Sequence, residues 1–273
     1  MTTTFLSFNI ITNGVKKGVV MKKLFKVDNL FVHQLDDAEQ MGICAASNIR
    51  RDVLSILKSK SEINMMFAAA PSQITTLNSL LELDDIPWNK INAFHMDEYV
   101  GISEKAPQSF RHFLIDNLFS KKPFKSINLI EGDSSNVNQV VLDYSQKLKK
   151  NKMDIIVLGI GESGHIAFND PPFAKFNESE LVKVVDLSEV SRMQQVHDKC
   201  FDSIESVPKQ AITVTIPAFF SATVLHCVVP SLTKAKAIKR TLEGDVSEAC
   251  PATILRKHSN ASLYIDSDSA SLL

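Results

Sequence analysis

Short apolar runs separated by amphipathic stretches set the first expectation for this chain. The runs over residues 65–70, 91–94, 154–158, 211–216, 224–229 and 262–265 are rich in β-branched residues and closed by Gly, Pro or Asp. That pattern predicts buried strands rather than helix fragments. A weaker strand is predicted over 127–130. Between them, apolar residues recur at helical spacing over 36–57, 74–83, 110–118, 137–148 and 235–242, with Asn136 and Thr233 as expected N-caps. Strand–helix alternation implies crossover connections, and these require a mostly parallel sheet covered on both faces. The expected fold class is therefore α/β, a doubly wound, mostly parallel sheet with helices on both faces. Neither an internal repeat nor a low-complexity tract interrupts it.

Residues 21–273 read as a single α/β domain and residues 1–20 as an N-terminal extension outside the core. The extension starts with threonines and reaches Lys16 and Lys17 only after its apolar stretch, the reverse of a signal peptide's charge order. With 273 residues, 44% of them hydrophobic, the chain has ample material for a core. A formal net charge of −1 leaves no electrostatic footprint for nucleic acid or an anionic membrane. No apolar run approaches the roughly 18 residues of a membrane span. Cys44, Cys200, Cys227 and Cys250 are scattered without a C-x-x-C pair, which suits reduced thiols in a cytoplasmic protein.

In doubly wound sheets, ligands bind outside the carboxyl ends of the strands. The predicted strands here lead into Pro71-Ser72-Gln73, residues 95–99, residues 159–170 and residues 230–234. These are the polar segments of interest, and they could converge on one crevice. Gly159-Ile160-Gly161-Glu162-Ser163-Gly164 also matches the dinucleotide pattern G-x-G-x-x-G, with Asp186 about 20 residues further on. That pattern needs a helix opening at its third glycine. Pro171-Pro172 arrives too soon for a helix of useful length, so a glycine-lined loop that brings backbone N–H groups to an oxygen-rich ligand is expected instead.

Within these segments His165 is a candidate proton relay, and Asp170, five residues on, could hold its tautomer. Asp97 and Glu98 are adjacent, so at most one faces the crevice; a structural cap is the alternative role for either. His95 and Asp97 together with His165 and Asp170 could in principle ligate a metal, although His-x-Asp pairs are common by chance. Lys234, at the start of a helix, could hold a phosphate with help from the helix N-terminus. Lys236, Lys239 and Arg240 read as a solvated face. Ser72 is either a helix N-cap or a phosphate-facing hydroxyl, and Arg192 has no diagnostic context, with surface exposure as its default.

Taken together, Phe94-His95-Met96-Asp97-Glu98-Tyr99-Val100-Gly101, the segment from Gly161 through His165 to Pro171, residues 207–214 and residues 234–244 resemble the glucosamine-6-phosphate deaminase (isomerase) family. The related 6-phosphogluconolactonases share a Gly-His pair but continue differently. The resemblance runs in order from about residue 36 to the C-terminus. It implies a Rossmann-like fold and the conversion of glucosamine 6-phosphate and water to fructose 6-phosphate and ammonia, with no metal or other cofactor. By position it implies that Asp97 is the base of enolisation and His165 the group that assists ring opening. Asp170 stands where the family usually has a glutamate that orients the histidine. Ser72 and Lys234 fall on phosphate-binding positions, and Arg192 falls on a phosphate-binding arginine within a one-residue gap. The expected partner is a small sugar phosphate, and a homo-oligomer is compatible with the resemblance. Two departures mark this chain. Ser163 replaces an aspartate two residues before the histidine, and Ala68-Ala69-Ala70-Pro71-Ser72-Gln73 replaces a Gly/Thr-rich phosphate loop. Other readings are a lactonase or isomerase for another sugar phosphate, and a weakly catalytic sugar-phosphate-binding protein.

Overall fold

A computed structural model describes the backbone of residues 6–12 and 15–273, and the side chains from Met21 onward. Of the expected extension over residues 1–20, residues 1–5, 13 and 14 lie outside the described ones. The chain runs through β1 (Leu6–Thr12), β2 (Val15–Val27), β3 (Leu30–Leu35), α1 (Ala38–Ile56), β4 (Ile63–Phe67), α2 (Ile74–Leu81), β5 (Ile91–His95) and β6 (Asp97–Tyr99). It continues through α3 (Phe110–Leu114), β7 (Ser126–Asn128), α4 (Val137–Lys150), β8 (Ile155–Leu158), β9 (Val182–Asp186) and α5 (Glu189–His197). It ends with β10 (Gln210–Val214), α6 (Ile216–Phe220), β11 (Val224–Val229), α7 (Ala235–Glu243) and β12 (Ala261–Ile265).

A nine-stranded sheet has the order β1-β2-β3-β12-β11-β8-β4-β5-β7. From β3 to β7 every neighbouring pair is parallel, while β1 and β2 add an antiparallel edge. The period-two alternation of strand side chains builds a core on each face. In β4, Ile63, Met65 and Phe67 join the core under α1 and α2, while Met66 turns to the other. In β8, Ile155 and Val157 face the first core, and Ile156 and Leu158 face the core covered by α4 and α7. The doubly wound, mostly parallel sheet expected from the sequence is therefore the observed fold.

Local chemistry starts the helices where the pattern placed them. Asp37 accepts a hydrogen bond from Gln40 N (2.8 Å) to cap α1, and Asn136 accepts from Gln139 N (3.1 Å) to cap α4. Ahead of α7 the cap is not Thr233. Ser231 accepts from Thr233 N and opens a 3-10 turn over Leu232–Lys234 that leads into the helix. Ser231 has a positive φ of 90°, and its N–H donates to the Asp266 carboxylate (3.1–3.2 Å).

One predicted strand sits elsewhere. The pattern places residues 211–216 in the alternating parallel set, but β10 belongs to a separate three-stranded antiparallel sheet of order β6-β10-β9. An apolar run of this length reads the same in either sheet, so only pairing partners distinguish them. The sequence pattern also passes over β3, β6, β9 and α5. From β4 the chain crosses outward to β5 and β7, whereas β8 lies on its other side, next to β11. This reversal makes the β4/β8 boundary the topological switch point, where a crevice opens.

Candidate active site

At that switch point lies a cavity of about 410 Å³. Its walls come from the loops after β4 and β8, from β6, from the C-terminal end of α5 and from Lys234. The structure brings Ser72, Asp97, His165 and Lys234 together on this cavity. Asp170 stands behind His165, and Arg192 does not line the cavity.

Strand alternation separates the adjacent carboxylates. Glu98 is fully buried and accepts from Ser109 Oγ (2.7 Å), Phe110 N (3.1 Å), Arg111 N (3.0 Å) and Arg111 Nε (3.2 Å). It therefore holds the N-terminus of α3 and is the structural member of the pair. Asp97 points the other way. It is 7% exposed, and its carboxylate accepts no hydrogen bond among the described residues. Burial, with the Glu98 charge adding to it, pushes the Asp97 carboxyl well above the usual aspartate range. A carboxylate raised in this way is a stronger base once ionised.

The loop after β8 is shaped around His165. Gly161 N donates to His165 O (3.0 Å) and Gly164 N to Gly161 O (2.9 Å). A Cβ on Gly161 would overlap the His165 ring, so only glycine permits this approach. Gly164 has a φ of +89°, and a Cβ there would strike Cys250 Sγ. No helix opens after Gly164, and Asp186 accepts from Gln210 Nε2 (2.9 Å) in the small sheet. The dinucleotide arrangement is therefore absent from this loop.

Asp170 Oδ1 lies 3.1 Å from His165 Nδ1 and accepts from Ser163 Oγ (2.7 Å), while Asp170 Oδ2 accepts from Ser191 Oγ. Burial alone would raise the Asp170 carboxyl, but the electrostatic pull of the neighbouring His165 ring and these hydrogen bonds outweigh it and hold the group at about 2. Arg240, expected on a solvated face, donates to Ser163 O (3.0 Å) and Ala249 O (2.7 Å), bracing the loop from α7.

Lys234 is 4% exposed and its Nζ has no hydrogen-bond partner among the described residues. Burial lowers its affinity for the proton, against the opposing pull of Asp198 and Glu162. A buried ammonium without a partner is costly unless an anion binds beside it. Gln73 donates from Nε2 to Val228 O (3.1 Å) and Ser72 Oγ (3.2 Å), which leaves the Ser72 hydroxyl hydrogen free to donate. Ser72 sits in the turn that leads into α2, where the first amides have no partner within the helix.

Arg192 turns its guanidinium onto the carbonyls of Ile204 and Val207. His95 is fully buried with Nε2 accepting from Ile130 N (2.7 Å), and burial holds its imidazole down at about 3. It is committed to the fold, and among the described residues no group of three or more His, Cys, Asp or Glu is placed to hold a metal ion. The sequence reading places Gln73 in a crevice segment without giving it a role, and it misses Ser191 and the α5 wall of Gln194 and Asp198. Ser191 carries no local signal, because it lies 26 residues from His165 on a helix that the pattern does not show.

A family model described as glucosamine-6-phosphate isomerases/6-phosphogluconolactonase matches residues 36–264. The chain belongs to this family. It is 35% identical over 194 residues to a glucosamine-6-phosphate deaminase of Streptococcus suis (strain 05ZYH33), spanning 71% of this chain and 81% of that protein. It is 32% identical over 212 residues to a glucosamine-6-phosphate deaminase of Listeria monocytogenes serovar 1/2a, spanning 78% and 88%. A solved structure of a monomeric glucosamine-6-phosphate deaminase superimposes with a TM-score of 0.81 at 28% identity, over 89% of this chain and 99% of that one. A 6-phosphogluconolactonase from Thermotoga maritima, at 18% identity and TM-score 0.70 over 87% and 99%, has the same fold. As a member of the glucosamine-6-phosphate isomerase/6-phosphogluconolactonase family, the chain is an enzyme of a carbohydrate-handling fold, with its cavity at the β4/β8 switch point.

Proposed function

We propose that the cavity binds glucosamine 6-phosphate and converts it, with water, to fructose 6-phosphate and ammonia. The observation that carries this reading is the division of labour on one cavity. Asp97 is an uncommitted, desolvated carboxylate, His165 is backed by Asp170, and Lys234 is a buried cation whose Nζ has no hydrogen-bond partner among the described residues. The identity to deaminases supports the choice of an amino sugar.

In this reading Lys234 and the Ser72 hydroxyl hold the phosphate, which is remote from the reacting carbons and serves as a handle. Arg192 joins them only by exchanging its two carbonyl acceptors for phosphate oxygens. His165 takes the proton of the anomeric hydroxyl and returns one to the ring oxygen, opening the pyranose to its aldehyde. The C2 proton, now next to a carbonyl, is removed by Asp97 and delivered to C1, while one proton of the C2 ammonium passes to the C1 oxygen. The resulting imine at C2 takes up water and releases ammonia. The reading places the enzyme in the cytoplasm, where its four cysteines, all free, remain reduced.

The test is ammonia release from glucosamine 6-phosphate by the purified chain. Activity is expected, with Lys234→Ala raising KM at least about 10-fold and Asp97→Asn lowering kcat by about 10²–10⁴-fold. Binding of the sugar without ammonia release, or hydrolysis of 6-phosphogluconolactone in its place, would refute the reading.

A further inference from the structure

His165 Nδ1 has three oxygens around it. They are Ser163 Oγ at 2.8 Å, Asp170 Oδ1 at 3.1 Å and Ser191 Oγ at 3.2 Å. Each serine has a single hydroxyl hydrogen, and each also touches a different oxygen of Asp170. A carboxylate can only accept. Both hydroxyl hydrogens must therefore point to Asp170, since otherwise two oxygens would face each other at hydrogen-bond distance with no hydrogen between them. What the serines then turn towards Nδ1 is lone pairs. Surrounded by acceptors, Nδ1 carries the hydrogen. Nε2 accepts no hydrogen bond from the described residues and lies against Gly161 at the cavity.

Ser191 is positioned by more than its own contact. On α5 it neighbours Gln194, whose Oε1 accepts from Glu162 N (2.8 Å), and one turn further on His197 lies 3.4 Å from Glu162 Oε2. One face of α5 thus lies along the histidine loop, while Gln194, Gln195 and Asp198 continue into the cavity wall. The helix that borders the ligand space also carries a hydroxyl to the histidine's carboxylate.

We propose that Ser191, together with Ser163, is a positioning residue. The two hydroxyls saturate Asp170 so that His165 is held in the Nδ1–H tautomer, with Nε2 as the basic atom offered to substrate. This rests on the proposed deaminase reading for its kinetic consequence but not for the tautomer itself. A second carboxylate at position 163 would also fix the tautomer, but it would bring a like charge against Asp170. The neutral hydroxyl pair achieves the same orientation with one charge.

The experiment is nitrogen NMR of the full chain labelled with [15N]histidine, the His165 signals being identified by their loss in His165→Gln, combined with ammonia-release kinetics. In the unmutated protein, neutral His165 is expected to be protonated at Nδ1; finding Nε2–H there overturns the proposal, whatever the variants do. Ser191→Ala is expected to populate the Nε2–H form and to lower kcat on the order of 10-fold with KM changed less than about twofold. Ser191→Thr, which keeps the hydroxyl, is expected to restore most of the loss. An unchanged tautomer and unchanged kcat in Ser191→Ala refute the positioning role. If the unmutated chain releases no ammonia at all, the deaminase reading falls while the tautomer measurement still decides the clamp.

Discussion

Asp97 is held in an unfavourable state for a carboxylate, out of water and without a hydrogen-bond donor among the described residues. Such an arrangement lowers the stability of the fold while it sharpens basicity. Asp97→Asn removes the charge and keeps the shape. At neutral pH it is expected to raise Tm, by about 2–4 °C for each kcal/mol regained, while activity collapses. A calorimetric scan beside the ammonia assay checks this, and a lower Tm would show that the carboxylate is satisfied in solution. Its neighbour shows what was legible at this scale. Adjacency alone says that at most one of Asp97 and Glu98 can face a crevice. Which one faces it depends on the pairing of β6 with β10, Asp97 opposite Thr213, and no local pattern encodes that pairing. The His165–Asp170 pair can be read from a separation of five residues. The Ser191 contact cannot, because its partner is remote in sequence.

At the scale of elements, Glu98 and α3 form a unit in which a buried carboxylate holds both a helix N-terminus and the Arg111 guanidinium, itself 3% exposed. Glu98→Gln replaces an acceptor that serves five donors, Tyr99 N among them, with an amide whose NH₂ faces other donors. The expected loss is on the order of 3–5 kcal/mol, as for a buried pair broken on one side. Urea unfolding measures it, and a loss below about 1 kcal/mol would mean that Asp133 and the Ile102 carbonyl, which also accept from Arg111, suffice to hold the cation. Apolar spacing makes α1, α2, α4 and α7 readable in advance, and the Asn136 cap of α4 is readable with it. The helix α5 is not, since its buried residues Ser191, Gln194 and Gln195 are polar and only Val196 packs against the core, so the apolar period that marks the other helices is weak.

Across the whole molecule, buried imidazoles dominate the response to acid. Burial holds His33 at about 4, with the His226 and Arg51 charges adding to it, and His95 at about 3. His226 is lowered in the same direction, burial outweighing its Asp52 partner. A group whose folded value lies below its unfolded one binds protons first in the unfolded chain. Stability therefore falls as pH drops from about 6.5 towards 4, by about 1.4 kcal/mol per unit for each such histidine. Asp97 has the opposite sign: its raised carboxyl makes the fold more stable as pH falls towards its unfolded value near 3.8. Asp170, depressed to about 2, contributes stability above its unfolded value that is lost between about 3.8 and 2. Urea midpoints between pH 7 and 4 are expected to decline, and more shallowly for His33→Gln; a midpoint independent of pH over that range would rule out the neutral, buried state of these rings.

What the sequence by itself determined is the layered architecture and the site's neighbourhood. Period-two and period-3.6 patterns are local, and they bury the same faces whatever lies across the sheet. Strand ends in a parallel sheet also gather the polar loops on one side. Strand pairing decided the rest. It put β10 in the small sheet with β6, turned Asp97 to the cavity and Glu98 away from it, left Lys234 without a partner among the described residues and Arg192 on a carbonyl turn, and brought Ser191 to Asp170. Each of these depends on which surfaces meet in three dimensions. Hydrogen bonds between residues remote in sequence leave no periodic trace along the chain.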